Sequence, residues 1–156
     1  MEPNFEEGQR LLINKIVYIF HQPERGDVII FQPSNSGADY IKRIIALPGD
    51  TVEIKRGAVY INGSKLDEPY IKDPPNYSFH QKTIPENEYF VLGDNRNNSN
   101  DSHTGWTVPD ENIIGKAWLS IWPPSEWGLA HNYSFEEQLE SSVNSYLTET
   151  RLSRID

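Results

Sequence analysis

The first residue type with chemistry to offer is a lysine, in the run Tyr40-Ile41-Lys42-Arg43-Ile44-Ile45-Ala46-Leu47-Pro48-Gly49-Asp50. Tyr40, Lys42 and Ile44 alternate with Ile41, Arg43 and Ile45, the period of two that marks a strand, and Pro-Gly-Asp stops it. Lys42 therefore shares a face with an aromatic and a branched aliphatic residue. One reading is an edge charge that guards against strand pairing. The other is an amine stripped of water, whose pKa falls until it serves as a general base near neutral pH. The second stretch is Gly93-Asp94-Asn95-Arg96-Asn97-Asn98-Ser99-Asn100-Asp101-Ser102, almost without apolar content and placed directly after a strand-like run. It reads either as a solvated loop or as a scaffold. In the scaffold, Asp and Asn fold back on their own backbone and Arg96 braces a carboxylate bidentately. Ser99 or Ser102 then hydrogen-bonds the amine, since a base needs an orienting partner as well as a shifted pKa.

The elements that must position these groups are mostly strands. Arg10 to Phe20 (RLLINKIVYIF) suits a buried strand with a bend, and Val28 to Phe31 a short apolar one. Thr51–Ile54 and Ala58–Ile61 form a hairpin across Lys55-Arg56-Gly57, followed by a tight turn at Asn62-Gly63. Residues 65–88 carry Pro69, Pro74, Pro75 and Pro85 and no sustained period. They read as an irregular insertion, too long for a plain connection. Tyr89–Leu92 and Lys116–Trp122 are further strands, the last ended by Pro123-Pro124. The expected fold is a mostly-β, coiled antiparallel strand domain over 1–128 with the insertion at about 65–88. A tail over 129–156 completes the chain. In it Ser134 and Glu137 have capping-box spacing, and Phe135, Leu139, Val143 and Leu147 would form one helical stripe that docks or frays.

Composition bounds the partners. The 156 residues are enough for one ordinary domain, and the formal net charge of −9 argues against nucleic acid. Without cysteine there is no disulfide, thiol catalysis or cysteine metal site. His21, His80 and His131 lack metal-ligand spacing, so no metal or other cofactor is expected. No run reaches the length of a membrane-spanning helix. Trp106, Trp118, Trp122 and Trp127 read as core and turn packing, above all Trp118 on its strand, or as an interfacial patch, above all Trp106 and Trp127.

Taken in order, Met1-Glu2-Pro3, Arg25-Gly26-Asp27 with the apolar run Val28–Phe31, Lys42 to Asp50 and Gly93 to Ser102 resemble the motif set of type I signal (leader) peptidases over about residues 1–124. His103 after Asp-Ser, where the family commonly has Arg, is similar to the cyanobacterial and plastid branch. The resemblance implies a Ser-Lys endopeptidase that removes signal peptides from secretory precursors, cutting after small residues. Lys42 matches the general base and Ser99 the serine that hydrogen-bonds it. Arg43, Asp94, Asn95, Arg96, Asp101 and Ser102 match site-shaping positions, and His103 is a replacement partner for Asp101. Met1, Pro3, Phe5, Tyr40 and Ile41 match residues along the substrate pockets. The family's nucleophile directly precedes the position of Met1. The expectation is therefore a catalytic domain without nucleophile or anchor, inactive as given. In the full-length protein it would be membrane-anchored, at the lipid surface on the extracytoplasmic face. Two other classes remain: a self-cleaving Ser-Lys switch, and a non-catalytic module that keeps the peptide groove.

Overall fold

The computed structural model describes residues 1–33, 36–130, 132–135 and 138–139. In chain order its strands are β1 (Arg10–Asn14), β2 (Val28–Phe31), β3 (Tyr40–Ala46), β4 (Thr51–Lys55), β5 (Ala58–Ile61), β6 (Ser64–Lys65), β7 (Phe79–Thr83), β8 (Glu88–Leu92), β9 (Val108–Pro109), β10 (Ile113–Trp122) and β11 (Gly128–Leu129). All pairings are antiparallel, in two sheets. The larger runs β1-β10-β2-β3-β8-β9, with β11 on β10, and the smaller runs β6-β5-β4-β7.

Strand β3 lies inside the larger sheet because its apolar alternation is matched on both sides. Tyr40, Ile41, Lys42 and Arg43 stand opposite Phe31, Ile30, Ile29 and Val28 of β2, while Arg43, Ile44 and Ala46 stand opposite Leu92, Val91 and Phe90 of β8. Pairing with β8 begins only at Arg43, so Tyr40–Lys42 are flanked by a strand on one side alone. Lys42 is therefore not the guard of an outer strand; it stands at a gap within the sheet.

The two turns of the smaller sheet follow from backbone chemistry. Arg56 and Gly57, then Asn62 and Gly63, all have positive φ, the geometry of the tight hairpin turns whose twist suits antiparallel strands. The smaller sheet and β8 enclose Ile45, Val52, Ile54, Val59, Ile61, Phe90 and Leu92. A second cluster, with Ile29, Phe31, Ile44 and Val91, lies on one face of β3, and a third, with Phe5, Val28 and Ile30, includes Ile41 from its other face.

Three expectations change. Arg10 to Phe20 is not one buried strand: Asn14 Oδ1 accepts the amides of Ile16 and Val17, ending β1 and starting a helical turn, Val17–Phe20. This turn leaves Ile16, Ile19 and Phe20 exposed. Inside the stretch read as irregular, Phe79–Thr83 pairs with β4 as an outer strand, its largely polar, exposed residues hiding its period. Trp118 is not core: it is 54% exposed, because β10 turns Gly115 and Ala117 inward. A Cβ on Gly115 would stand 2.6 Å from the Asn14 carbonyl. Of the tail, Ala130 and Phe135 are buried, and Tyr133 and Leu139 pack against the core. His131, Glu137, Val143 and Leu147 lie outside the described residues.

Candidate active site

Lys42 is half-buried and projects from β3 beside the point where β8 gives way to the loop at Gly93. Burial lowers its pKa, and the carboxylates of Asp101 and Asp94 pull it partly back up. Its Nζ stands over the ring of Tyr40, 5.8 Å from the ring centre. The terminal amine of Met1 is also depressed, first by burial and then by repulsion from Lys42. Met1 lines the same cavity as Ile41, the strand neighbour of Lys42.

The loop after β8 is held by its own polar side chains. The Asp101 carboxylate accepts the Gly93 amide at 2.9 Å, and the Ser102 hydroxyl accepts the Val91 amide at 3.0 Å. Arg96 donates through Nε to the Gly93 carbonyl and forks onto Glu68 at 2.9 and 2.7 Å. Asp94 and Arg43 form a fully buried bidentate pair at 2.9 and 2.8 Å, with Arg43 also donating to the Gly26 carbonyl. The guanidinium of Arg43 lies 4.3 Å from the Tyr70 ring centre and 5.1 Å from that of Tyr133, a stacked arrangement suited to arginine.

Ser99 Oγ is sealed from solvent and has no hydrogen-bond partner, including Lys42. It occupies the space above Gly93, where an added Cβ would stand 2.2 Å from it. A buried hydroxyl normally finds a partner, and this one has none. His103 Nδ1 lies 2.6 Å from Asp101 Oδ1, and its ring stacks on Tyr77 with centres 4.1 Å apart. In this way His103 is the partner of Asp101.

The predicted substrate residues divide. Met1, Phe5 and Ile41 line a cavity of about 340 Å³ together with Asn95. Tyr40 lines a different one, of about 360 Å³, because neighbouring strand residues point to opposite faces. Pro3 is exposed and lines neither. Sequence reasoning missed Asn4, whose amide donates to Asp94 Oδ2 at 2.7 Å and to the Tyr70 carbonyl at 2.8 Å, tying the chain start to the buried ion pair. It also missed Glu68 and Tyr70, since nothing local in an irregular stretch marks a partner for a distant arginine. Among the described residues, no group of three His, Asp or Glu side chains is arranged to hold a metal.

Comparison with known proteins fits this arrangement. The model of the family described as signal peptidase, peptidase S26, matches residues 1–122. A probable signal peptidase I-1 of Synechocystis sp. is 45% identical over 143 residues, covering 86% of this chain and 73% of that protein. A signal peptidase I of Leptolyngbya laminosa is 44% identical over 136 residues, covering 82% and 67%. A crystal structure of a signal peptidase I from Enterococcus faecalis V583 superposes with a TM-score of 0.54 at 34% identity, covering 62% of this chain and 97% of that one. With its strand-borne lysine, its braced polar loop and these likenesses, the chain belongs to the signal peptidase family of serine-type peptidases.

Proposed function

We propose that this domain removes signal peptides from secretory precursors by a Ser-Lys mechanism in which Lys42 is the base and the attacking serine is joined directly ahead of Met1. The observation that carries the reading is that Met1 lines one cavity with Ile41, the strand neighbour of Lys42, which brings the chain ahead of Met1 to the strand that bears the lysine. A residue attached to the Met1 nitrogen would set its side chain beside the lysine. Neutral Lys42 takes the serine proton while Oγ attacks the carbonyl carbon. The amide C–N bond then breaks, the leaving amine takes the proton, and water releases the acyl group. Ser99, whose hydroxyl has no partner in this structure, is the group that would turn to the Lys42 amine and orient it. Asp94, Asn95, Arg96, Asp101 and Ser102 hold the loop that carries Ser99, and Arg43 anchors Asp94.

The gap beside Tyr40–Lys42 supports binding of an extended peptide as an added strand, with backbone pairing supplying affinity. Met1, Phe5 and Ile41 then shape the pocket for small residues before the cut. The exposed apolar side chains of Leu12, Trp118, Trp122, Trp127 and Leu129, on and beside β1, β10 and β11, support work at a lipid surface, since indoles favour the membrane boundary. No helix among the described residues is long and apolar enough to cross a membrane. The anchor and the extracytoplasmic placement belong to the same proposal.

The test is a pair of polypeptides, the 156 residues alone and the same chain with serine and a short apolar segment ahead of Met1, assayed in detergent on a precursor peptide. The extended chain is expected to cut after small residues and the shorter one not to cut. Cleavage by the shorter chain, or none by a folded extended chain, refutes the placement of the nucleophile.

A further inference from the structure

Residues 1–5 are held to the domain by contacts that differ in how far they fix orientation. Phe5 is buried in the cluster that contains Val28 and Ile30, with Met1 and Ile41 packed against it. Apolar burial is non-directional, so it fixes where the chain start lies and leaves it free to roll. The Phe5 amide donates to the Met1 carbonyl at 3.0 Å, closing these residues into one turn that moves as a unit. Glu2 accepts from Lys72 Nζ at 2.9 Å and from Asn95 Nδ2 at 3.2 Å. The side chains of Lys72 and Glu2 are 48% and 49% exposed, and a pair so open to water constrains its partners weakly.

Asn4 makes a different kind of contact. Its side-chain nitrogen donates to Asp94 Oδ2 at 2.7 Å and to the Tyr70 carbonyl at 2.8 Å. The Asp94 carboxylate, paired with Arg43, and the carbonyl can only accept, so both hydrogens of the amide are engaged. A hydroxyl has one hydrogen to give and a carboxylate none. The bond to Asp94 is charge-assisted, and Asp94 is fixed in turn by Arg43, which directly follows Lys42 on β3. The Tyr70 ring lies over the same guanidinium, 4.3 Å away. Asn4 thus ties the opening turn to the residue beside the base. We propose that Asn4 is a positioning residue, which sets the rotation of the Met1–Phe5 turn and with it the approach to Lys42 of the serine joined ahead of Met1. This rests on the proposed function, which it deepens by naming what aims the nucleophile.

The chain contains no cysteine, so a cysteine joined ahead of Met1 in place of the serine is a single thiol that reports its own surroundings. Titrated by thiolate absorbance, its pKa should lie below the ordinary value of about 8.5, because a neighbouring ammonium stabilises the thiolate. Lys42→Met should bring it back. Asn4→Ala should also move it back, with the circular dichroism spectrum and cooperative melting kept. In the serine-extended chain Asn4→Ala should lower kcat by about tenfold to hundredfold, the scale of a misplacement of about 1 Å. KM should stay close to the parent value, since Asn4 is not among the described residues lining the Met1–Ile41 cavity. Asn4→Thr, which keeps one donor, should recover part of both effects. On the unaltered 156-residue chain, the Asn4 side-chain amide protons should exchange slowly with solvent, a reading that needs no substitution to fold. A thiol indifferent to Lys42→Met refutes the placement of the nucleophile, and this inference with it. A thiol shifted by Lys42 and still shifted in folded Asn4→Ala, a loss of activity carried wholly by KM, or fast exchange of the Asn4 amide protons overturns the role of Asn4 alone.

Discussion

Lys42 and Ser99 are each left incomplete by the fold, one an amine that burial drives toward neutrality, the other a sealed hydroxyl with no partner. The sign of the lysine's effect on stability follows from its lowered pKa. Between its folded value and the ordinary value of about 10.4, the folded state holds fewer protons than the unfolded chain, so stability rises with pH across that window. Below the folded value the cost of burying the charge is present in full. Lys42→Met should therefore melt higher than the parent chain at neutral pH, with the gap closing as the pH approaches the ordinary lysine range; melting curves across pH check this. In the serine-extended chain the same variant should not turn over. Ser99→Ala should leave the melting temperature unchanged or higher, because it removes a buried hydroxyl without a partner. In the proposed mechanism Ser99 makes a hydrogen bond to Lys42 that this structure does not contain, so turnover should fall by the equivalent of about 1–3 kcal/mol. Equal turnover in Ser99→Ala would take Ser99 out of the site.

At the level of elements, the site is a strand and a loop locked face to face. Gly93 is the junction: its amide is held by Asp101, its carbonyl by Arg96, and its missing side chain leaves the space that Ser99 Oγ fills. Gly93→Ala is expected to displace Ser99 and lower turnover in the serine-extended chain more than Ser99→Ala does, since it moves the loop as well as the hydroxyl. Turnover rates of the two variants, with circular dichroism to show folding, decide it. Much of this was legible in sequence, because Tyr40–Ala46 has an unbroken period and its end is marked by Pro48-Gly49-Asp50, and because Arg56-Gly57 and Asn62-Gly63 are turn signals. Strand β7 was not legible, since Phe79-His80-Gln81-Lys82-Thr83 lies at the sheet edge and has little to bury. Trp118, read chiefly as core, misled for a related reason. The core side of β10 is reserved for small residues by the close approach of β1, so the large rings fall outside. Tyr40 and Ile41, both read as lining the substrate pockets, are sent by the pleat to different cavities.

For the molecule as a whole, stability rests on contacts that the motif region alone does not contain. Arg43–Asp94 is fully buried, and breaking it from one side leaves a charge without its partner. Asp94→Ala should cost about 3–5 kcal/mol in chemical denaturation, while the paired change Arg43→Met with Asp94→Leu should cost less than the sum of the single changes. The segment after β11 closes over this pair. Tyr133 covers the guanidinium, the Asn132 side chain accepts the Val28 amide at 2.8 Å, and a Cβ on Gly26 would stand 1.5 Å from the Tyr133 carbonyl. Phe135 fills the core beneath. Phe135→Ala is expected to lower stability by about 3–5 kcal/mol, a result that a frayed tail would not give. None of this could be inferred from the weak helical stripe, because a docked strap is specified by its distant partners and not by its own period.

The strand order has a bearing on how the protein is made. Strand β2, with all four residues buried, lies between β3 and β10, and β10 begins only at Ile113. A ribosome adding about 5–20 residues per second leaves one edge of Val28–Phe31 unpaired for roughly 4–20 s after it is translated. Through that interval the nascent chain presents an apolar, hydrogen-bond-hungry ribbon to its surroundings. Exposed edges of this kind recruit other strands, so the newborn polypeptide is at its stickiest just before the segment that completes it emerges.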